Sequence, residues 1–202
     1  MSVALTLPTL LHVSLGYGPI KTQLMTVPVY AVAAGLTLIF AWASDRLQNR
    51  SVFFCIGMAI AMIGWGIGLS SHVPHIRYAA SFVSAMGSYS SVPCIVTLVS
   101  QNIGGQTKRA VGIALQVGLA GLCGIMASNI FPPEDAPHFT RGYIVNCSLS
   151  GVALLCGVGY SGLLHLANQR KQGRIDSGEA ARLSRQDVAD LGDRSPYFRY
   201  KY

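Results

Sequence analysis

Long uncharged apolar segments follow one another along this chain, separated by short polar connections. We place six of them at about residues 3–16, 24–44, 52–70, 77–100, 108–131 and 142–167. Apart from Arg77, Lys108 and Arg109 near two segment ends, segments two to six contain no Asp, Glu, Lys or Arg. Roughly 20 apolar residues in a helix cross a hydrocarbon core about 30 Å thick. The pattern therefore predicts an all-α membrane protein, a bundle of six transmembrane helices.

The first segment differs from the others. It is short, and Pro8 and His12 interrupt it. It is either a broken helix or the remainder of a longer helix whose first turns precede Met1, and we favour the second interpretation.

The distribution of basic residues predicts the orientation. Of the 15 Lys and Arg residues, 12 lie in the second-to-third connection, at the start of the fifth segment (Lys108 and Arg109) or after residue 167. Because cytoplasmic loops carry an excess of Lys and Arg, both termini and these connections are predicted to be cytoplasmic. Residues 1–167 then form the membrane domain. Residues 168–202 form a cytoplasmic tail, which its charged composition predicts to be partly disordered.

Composition narrows the function. The 202 residues are 51% hydrophobic and 11% charged, whereas soluble domains carry about 25% charged residues, so the expected partner of this chain is the lipid bilayer. The net charge of +7 does not predict nucleic-acid binding, because the basic residues are spread over short loops and the tail. The scattered cysteines and histidines predict no metal site and no cofactor, and no hydrolase or phosphate-loop motif predicts an enzyme.

Two segments carry stripes of polar side chains. At 100° per residue, one face of the second segment presents Gln23, Thr26, Tyr30, Thr37 and Ser44. The fourth segment presents Tyr78, Ser81, Ser84 and Ser88, and its Pro93 removes a backbone hydrogen bond to the carbonyl of Tyr89. Lipid offers no partner to hydroxyl groups, so we expect these stripes to face a water-filled cavity or protein. Packing between helices is the alternative.

Glycine spacing predicts close contact between helices. Gly64, Gly66 and Gly68 form a ridge on the third segment, and Gly121, Gly124 and Ser128 share a face of the fifth. Small residues let two helix backbones approach closely.

Five short stretches carry a family resemblance. They are LGYGPIKTQLMTVPVY (15–30), DRLQNR (45–50), SQNIGGQTKRA (100–110), EDAPHFTRGY (134–143) and SPYFRYKY (195–202). Together they resemble the major facilitator superfamily and, within it, the fungal anion:cation symporters related to allantoate and nicotinate permeases. The resemblance covers nearly the whole chain but only the C-terminal half of such a transporter. It implies a complementary N-terminal half of six further helices, with the substrate held between the halves.

The resemblance implies a symporter of small organic anions or vitamin precursors, with a co-transported cation, in the plasma membrane. From the polar positions we predict that the substrate path is lined by Tyr30, Thr37, Ser88, Tyr89 and Gln116. The alternative for each is hydrogen bonding between helices.

The DRLQNR motif supplies Asp45, Arg46 and Arg50. By resemblance, this cytoplasmic loop ties helix ends together. A second hypothesis for the whole chain remains open, that of a non-transporting truncated fragment or a half-bundle that regulates or assembles with a transporter.

Overall fold

Five α-helices make up most of the described structure. The computed structural model describes residues 18–71, 73–128, 139–177, 193 and 195–201. The helices are α1 (Pro19–Leu47), α2 (Arg50–Ser70), α3 (Pro74–Asn102), α4 (Gln106–Ser128) and α5 (Thr140–Asp176). Each is long and apolar enough to cross a membrane. Within these ranges the prediction of an all-α membrane protein is confirmed.

The helices extend beyond the apolar segments that predicted them. α1 covers the predicted 24–44 and more at both ends, and α5 continues past residue 167 to Asp176. With 37 residues, α5 is about 55 Å long and exceeds a hydrocarbon core of about 30 Å. The predicted first segment, 3–16, lies outside the described residues. The count of six transmembrane helices and the boundary at residue 167 therefore stay predictions.

Local signals set the ends of the helices. Pro19 and Pro74 occupy the first turns of α1 and α3. Proline fits there because the N–H groups of the first turn have no acceptor within the helix, so the N–H that proline lacks is not needed. Gln48 closes α1 in the left-handed conformation with a φ of 55°. Its side-chain amide donates to the carbonyl of Asp45 at 2.7 Å. The short turn that follows lets α2 begin at Arg50, directly beside the end of α1.

Small residues allow α2 and α3 to pack closely. A side chain at Gly64 would collide with the backbone of Ser84, and one at Gly87 would collide with the backbone of Ala61. The predicted close approach at Gly64 is therefore confirmed. Gly66, predicted to belong to the same ridge, faces open space, because it points away from α3.

The apolar core joins α1, α2, α3 and α5. Its buried members are Val29, Ala33, Trp65, Ala85, Phe139 and Tyr143. The rings of Trp65 and Tyr143 pack edge to face with centroids 5.9 Å apart. The guanidinium of buried Arg77 lies 5.5 Å from the centroid of the Tyr143 ring, and its Nε donates to the carbonyl of Ser71 at 2.8 Å. These contacts offset the cost of burying the cation.

α4 packs loosely against the other described helices. Large apolar side chains are exposed along it: Val111, Leu115, Val117, Leu119, Leu122, Ile125 and Met126. A Cβ added at Gly121 would meet no neighbouring atom of the described residues, so the prediction of close packing at Gly121 is wrong there. In a bilayer, a surface of this kind is covered by lipid or by another polypeptide.

Candidate functional site

A groove separates α1 from α3. Its volume is about 1020 Å³, large enough for a small organic molecule, since such sites measure about 300–1,000 Å³. Its walls are Tyr30, Ala33, Ala34, Thr37 and Leu38 from α1 and Tyr89, Val92, Pro93, Val96 and Thr97 from α3. The α1 positions recur at helical spacing, which places them on one face.

Tyr30 and Tyr89 face each other across this groove. Their ring centroids lie 6.0 Å apart with an interplanar angle of 79°, the edge-to-face geometry that aromatic pairs prefer. Both residues are half-buried. A phenol hydroxyl can donate to a carboxylate and can also accept a hydrogen bond. The pair therefore gives a mostly apolar groove its capacity to orient a polar or anionic ligand.

Two threonine hydroxyls, one on each wall, are bonded to their own helices. The Oγ1 atom of Thr37 donates to the carbonyl of Ala33 at 2.8 Å, and that of Thr97 donates to the carbonyl of Pro93 at 2.6 Å. These bonds use the hydroxyl proton and leave lone pairs that can accept. Among the described lining residues, donation of a hydrogen bond to an anion is therefore left to the tyrosine pair. Because Tyr30 and Tyr89 also share a side-chain hydrogen bond, one of the two phenol protons is available to a ligand.

Each wall of the groove also has a proline inside its helix. Pro93 lies in α3 and lines the groove, and Pro28 lies in α1. Because proline lacks an N–H, each removes the hydrogen bond to the carbonyl four residues earlier, that of Tyr89 and that of Leu24. A proline within an apolar segment therefore identifies both helices that form the groove, α1 by Pro28 and α3 by Pro93.

The structure brings together three of the five predicted path residues. Tyr30, Thr37 and Tyr89 line the groove, whereas Ser88, half-buried beside Tyr89 in α3, does not. Gln116 lies on α4, which does not border the groove, and its buried Oε1 atom has no hydrogen-bond partner among the described residues. The role of all five in substrate passage stays a prediction.

Ser81 and Ser84 of the stripe predicted for α3 face protein and not a cavity, which is one of the two surroundings expected from the sequence. The Oγ of Ser81 donates to the carbonyl of Arg77 at 2.9 Å, and that of Ser84 donates to the carbonyl of Ala80 at 3.0 Å. Both side chains are buried, and Gly64 of α2 packs against Ser84. This part of the stripe belongs to packing between helices, because a serine bonded to its own helix needs no polar neighbour.

The DRLQNR motif forms an ion pair between the end of α1 and the start of α2. The buried guanidinium of Arg50 binds the carboxylate of Asp45, whose side chain is 64% exposed. Arg46 instead lies over the ring of Trp42, with its guanidinium carbon 5.6 Å from the centroid. Since Arg50 is buried, Asp45 offsets part of its desolvation. This geometry fits the expected tying of helix ends, and its part in transport stays a prediction.

Two asparagines hold the C-terminal segment, residues 195–201: Asn102 at the end of α3 and Asn168 within α5. The side chain of Asn102 donates to the carbonyl of Lys201 at 2.8 Å and accepts from its N–H at 2.8 Å. Asn168 exchanges the same two bonds with Tyr200, at 2.8 and 2.9 Å. The expected partial disorder of the tail therefore does not extend to this segment.

Lys171 of α5 is a third anchor for the end of the chain. Its Nζ donates to the carbonyl of Asp193 at 2.6 Å and to that of Phe198 at 3.0 Å. The same atom lies 3.8 Å from the centroid of the Tyr200 ring. Two carbonyls and an aromatic face thus satisfy a buried ammonium group. Asp193 also pairs with Lys108 at 3.6 Å, so the end of the chain contacts α3, α4 and α5.

The described residues form no metal site. Within the described ranges, no group of three or more His, Cys, Asp or Glu side chains is placed to hold a metal ion. The five cysteines, all of them in those ranges, are unpaired thiols.

Apolar helices of spanning length around a mainly apolar groove define a multi-pass integral membrane protein. Over 92% of its length the chain is 30% identical to an uncharacterised transporter of Schizosaccharomyces pombe. Over 94% it is 29% identical to a high-affinity nicotinic acid transporter of Saccharomyces cerevisiae. Over 92% it is 30% identical to a major facilitator-type transporter of Emericella nidulans. No family model and no solved structure matches the chain.

These similarities support membership of the major facilitator superfamily. The relatives are named as transporters rather than enzymes, in agreement with the predicted absence of enzymatic activity. The chain spans 36%, 35% and 38% of the lengths of these three relatives. The similarity therefore concerns a part of each transporter.

Proposed function

We propose that this chain is the C-terminal half of a major facilitator superfamily symporter for small organic anions or vitamin precursors. The observation that carries the proposal is the groove between α1 and α3, in which Tyr30 and Tyr89 face each other. Similarity to a nicotinic acid transporter supports the substrate class. Nicotinate is a flat aromatic carboxylate, so phenol hydroxyls would donate to its carboxylate while aromatic rings pack against its ring.

The mechanism in this proposal is alternating access. A complementary N-terminal half closes the open side of the groove, and the two halves rock about the substrate between them. The described groove lining contains no Asp, Glu or His. Binding of the co-transported cation is therefore assigned to the complementary half, since coupling sites in membranes use ionisable groups.

The proposed setting is the plasma membrane, with both chain ends in the cytoplasm. The distribution of Lys and Arg supports this orientation. The bilayer then covers the exposed apolar face of α4 wherever the complementary half does not.

Uptake of labelled nicotinate into proteoliposomes tests the proposal. The chain is reconstituted alone and together with the N-terminal half of the related nicotinic acid transporter. We expect saturable uptake, blocked by unlabelled organic anions, only when both halves are present. If the intact relative transports nicotinate in the same assay and the two-half preparation transports no organic anion offered, the proposal is wrong.

A second candidate function is a half-bundle that does not transport but binds or regulates a complete transporter. One observation favours it: α4 exposes a long apolar face that the other described helices do not cover. Co-purification of the chain with a full-length relative, together with altered uptake by that relative, would support this function. Saturable uptake by the two-half preparation would instead favour the first proposed function, that of the C-terminal half of a symporter.

A further inference from the structure

Lys201 of the C-terminal segment connects the ends of the two helices that form the walls of the groove. Its backbone exchanges two hydrogen bonds of 2.8 Å with the side chain of Asn102, the last residue of α3. Its ammonium group donates to the Oε1 atom of Gln48, which closes α1, at 3.3 Å. We call these three contacts the Lys201 bridge.

The α1 end of the bridge is itself fixed in place. The side-chain nitrogen of Gln48 donates to the carbonyl of Asp45 at 2.7 Å. The carboxylate of Asp45 in turn binds buried Arg50 at the start of α2. Because the Gln48 amide donates on one side and accepts on the other, it joins the turn between α1 and α2 to Lys201.

The C-terminal segment also holds the bridge from α5. Asn168 of α5 exchanges two hydrogen bonds with Tyr200, the neighbour of Lys201. Lys171 of α5 donates to the carbonyl of Phe198 at 3.0 Å. The end of α3 is therefore bonded, through Lys201, to a segment that is anchored on α5 and on the end of α1.

The bridge restrains a stretch of α3 that can bend. Pro93 removes one backbone hydrogen bond from this helix, and sharp helix bends occur mostly at proline. From Pro93 to Asn102 the helix continues for about 14 Å, and Val96 and Thr97 of this stretch line the groove. A bend that moves the stretch away from α1 would separate Asn102 from Gln48, so the bridge would have to break.

We propose that the Lys201 bridge is a conformational restraint that keeps the groove narrow at the ends of α1 and α3 predicted to be cytoplasmic, and that release of the C-terminal segment opens this end. Its role in transport rests on the proposed function, in which substrate leaves the groove by this end. Its structural role is to set the separation of two helix ends, and this can be measured in the chain by itself.

The test measures distances between pairs of nitroxide labels by electron paramagnetic resonance. The purified chain, without its five native cysteines, is placed in phosphatidylcholine nanodiscs. One pair of labels, at Leu47 and Ser100, reports the bridged ends of α1 and α3. A second pair, at the exposed positions Leu24 and Ile76, reports the opposite ends of the same helices.

A chain that ends at Tyr200 lacks the whole bridge. We expect its ratio of wide to narrow separations to rise roughly 30-fold for the first pair, the ratio that two ordinary hydrogen bonds maintain, and to stay unchanged for the second. Lys201→Met removes only the bond to Gln48 and should give a smaller rise for the first pair. Arg199→Met is the matched control, because this cation of the same segment binds Gln172 of α5, and it should alter neither pair.

The proposal is overturned if the shortened chain and the wild type give the same separations for the first pair. It is equally overturned if both pairs widen together in the shortened chain and in Lys201→Met, or if Arg199→Met widens the first pair as much as loss of the bridge does. Failure of the proposed function is a separate result, because the two-half preparation would then transport nothing while these distances still respond to the bridge.

Discussion

Asn102 and Lys201 exchange two hydrogen bonds of 2.8 Å, one from the asparagine amide and one from the lysine N–H. The pair fastens the C-terminal segment to the end of α3. A hydrogen bond contributes about 0.5–1.5 kcal/mol net, so Asn102→Ala should lower the free energy of detaching the segment by about 1–3 kcal/mol. Faster protease cleavage within 195–201 measures the loss.

Asn49→Ala is the control for that variant. Asn49 is exposed and makes no capping bond to α2, so its replacement should leave the cleavage rate unchanged. Equal cleavage of the wild type and Asn102→Ala would contradict the role of the asparagine.

The tyrosine pair supplies the hydrogen-bond donors of the groove. In a complete transporter, Tyr89→Phe and Tyr30→Phe should each raise KM for an organic anion roughly tenfold or more, since a bond to a charged group is worth about 1.5–3 kcal/mol. Initial uptake rates over a range of substrate concentrations measure KM. Tyr160→Phe on α5, outside the groove, should change it little. An unaltered KM in both groove variants would exclude the phenols from substrate binding.

Gly64 and Gly66 lie two positions apart in α2 but in opposite surroundings. Gly64→Ala should destabilise the bundle by about 1–3 kcal/mol, the usual cost of overpacking, because the new methyl group would collide with the backbone of Ser84. Gly66→Ala meets open space and should be neutral or slightly stabilising, since alanine is the better helix former. Thermal unfolding in detergent compares them, and equal melting temperatures would refute the packing assignment.

Asp45 is the carboxylate that pairs with buried Arg50. Asp45→Ala should slow transport by a complete transporter several-fold and should also lower the melting temperature, because it leaves the buried guanidinium of Arg50 without its carboxylate partner. Arg46→Gln, which loses the stacking on Trp42, should transport nearly normally. The measurements are kcat from uptake and the melting temperature. Normal kcat in Asp45→Ala would exclude a role for the ion pair in conformational switching.

The predicted orientation can be tested at two connections. In a variant without the five native cysteines, a cysteine at Val73 should react with an impermeant thiol reagent added to intact cells, because Val73 is exposed in a connection predicted to be external. A cysteine at Gln48, also exposed, should react only after the cells are opened. The reverse pattern would invert the topology.

The helices and part of the groove can be predicted from the sequence because their signals are local. An uncharged apolar run is enough to predict α2, and the helical spacing of Tyr30 and Thr37 places both on one face. The surroundings of Ser84 could not be predicted from such local signals. Spacing alone cannot tell a hydroxyl that faces a cavity from one that bonds to its own helix beside a glycine.

The seating of the C-terminal segment cannot be predicted in this way. It depends on Asn102 and Asn168 meeting a backbone far along the chain, and neither asparagine differs in its local sequence from one that is simply solvated. The Lys201 bridge is hidden from the sequence for the same reason, since Gln48 and Asn102 lie far from Lys201 along the chain.

The two prolines of the groove bracket the tyrosine pair. Pro28 precedes Tyr30 in α1, and Pro93 follows Tyr89 in α3, while both helices run in the same direction through the predicted topology. A helix bends more readily where a backbone bond is missing. In the predicted topology, the tyrosine rings therefore lie between two positions where a helix lacks a backbone hydrogen bond, one toward each side of the membrane. A bend at either proline would therefore change the spacing of α1 and α3 mainly on that proline's side of the tyrosine pair.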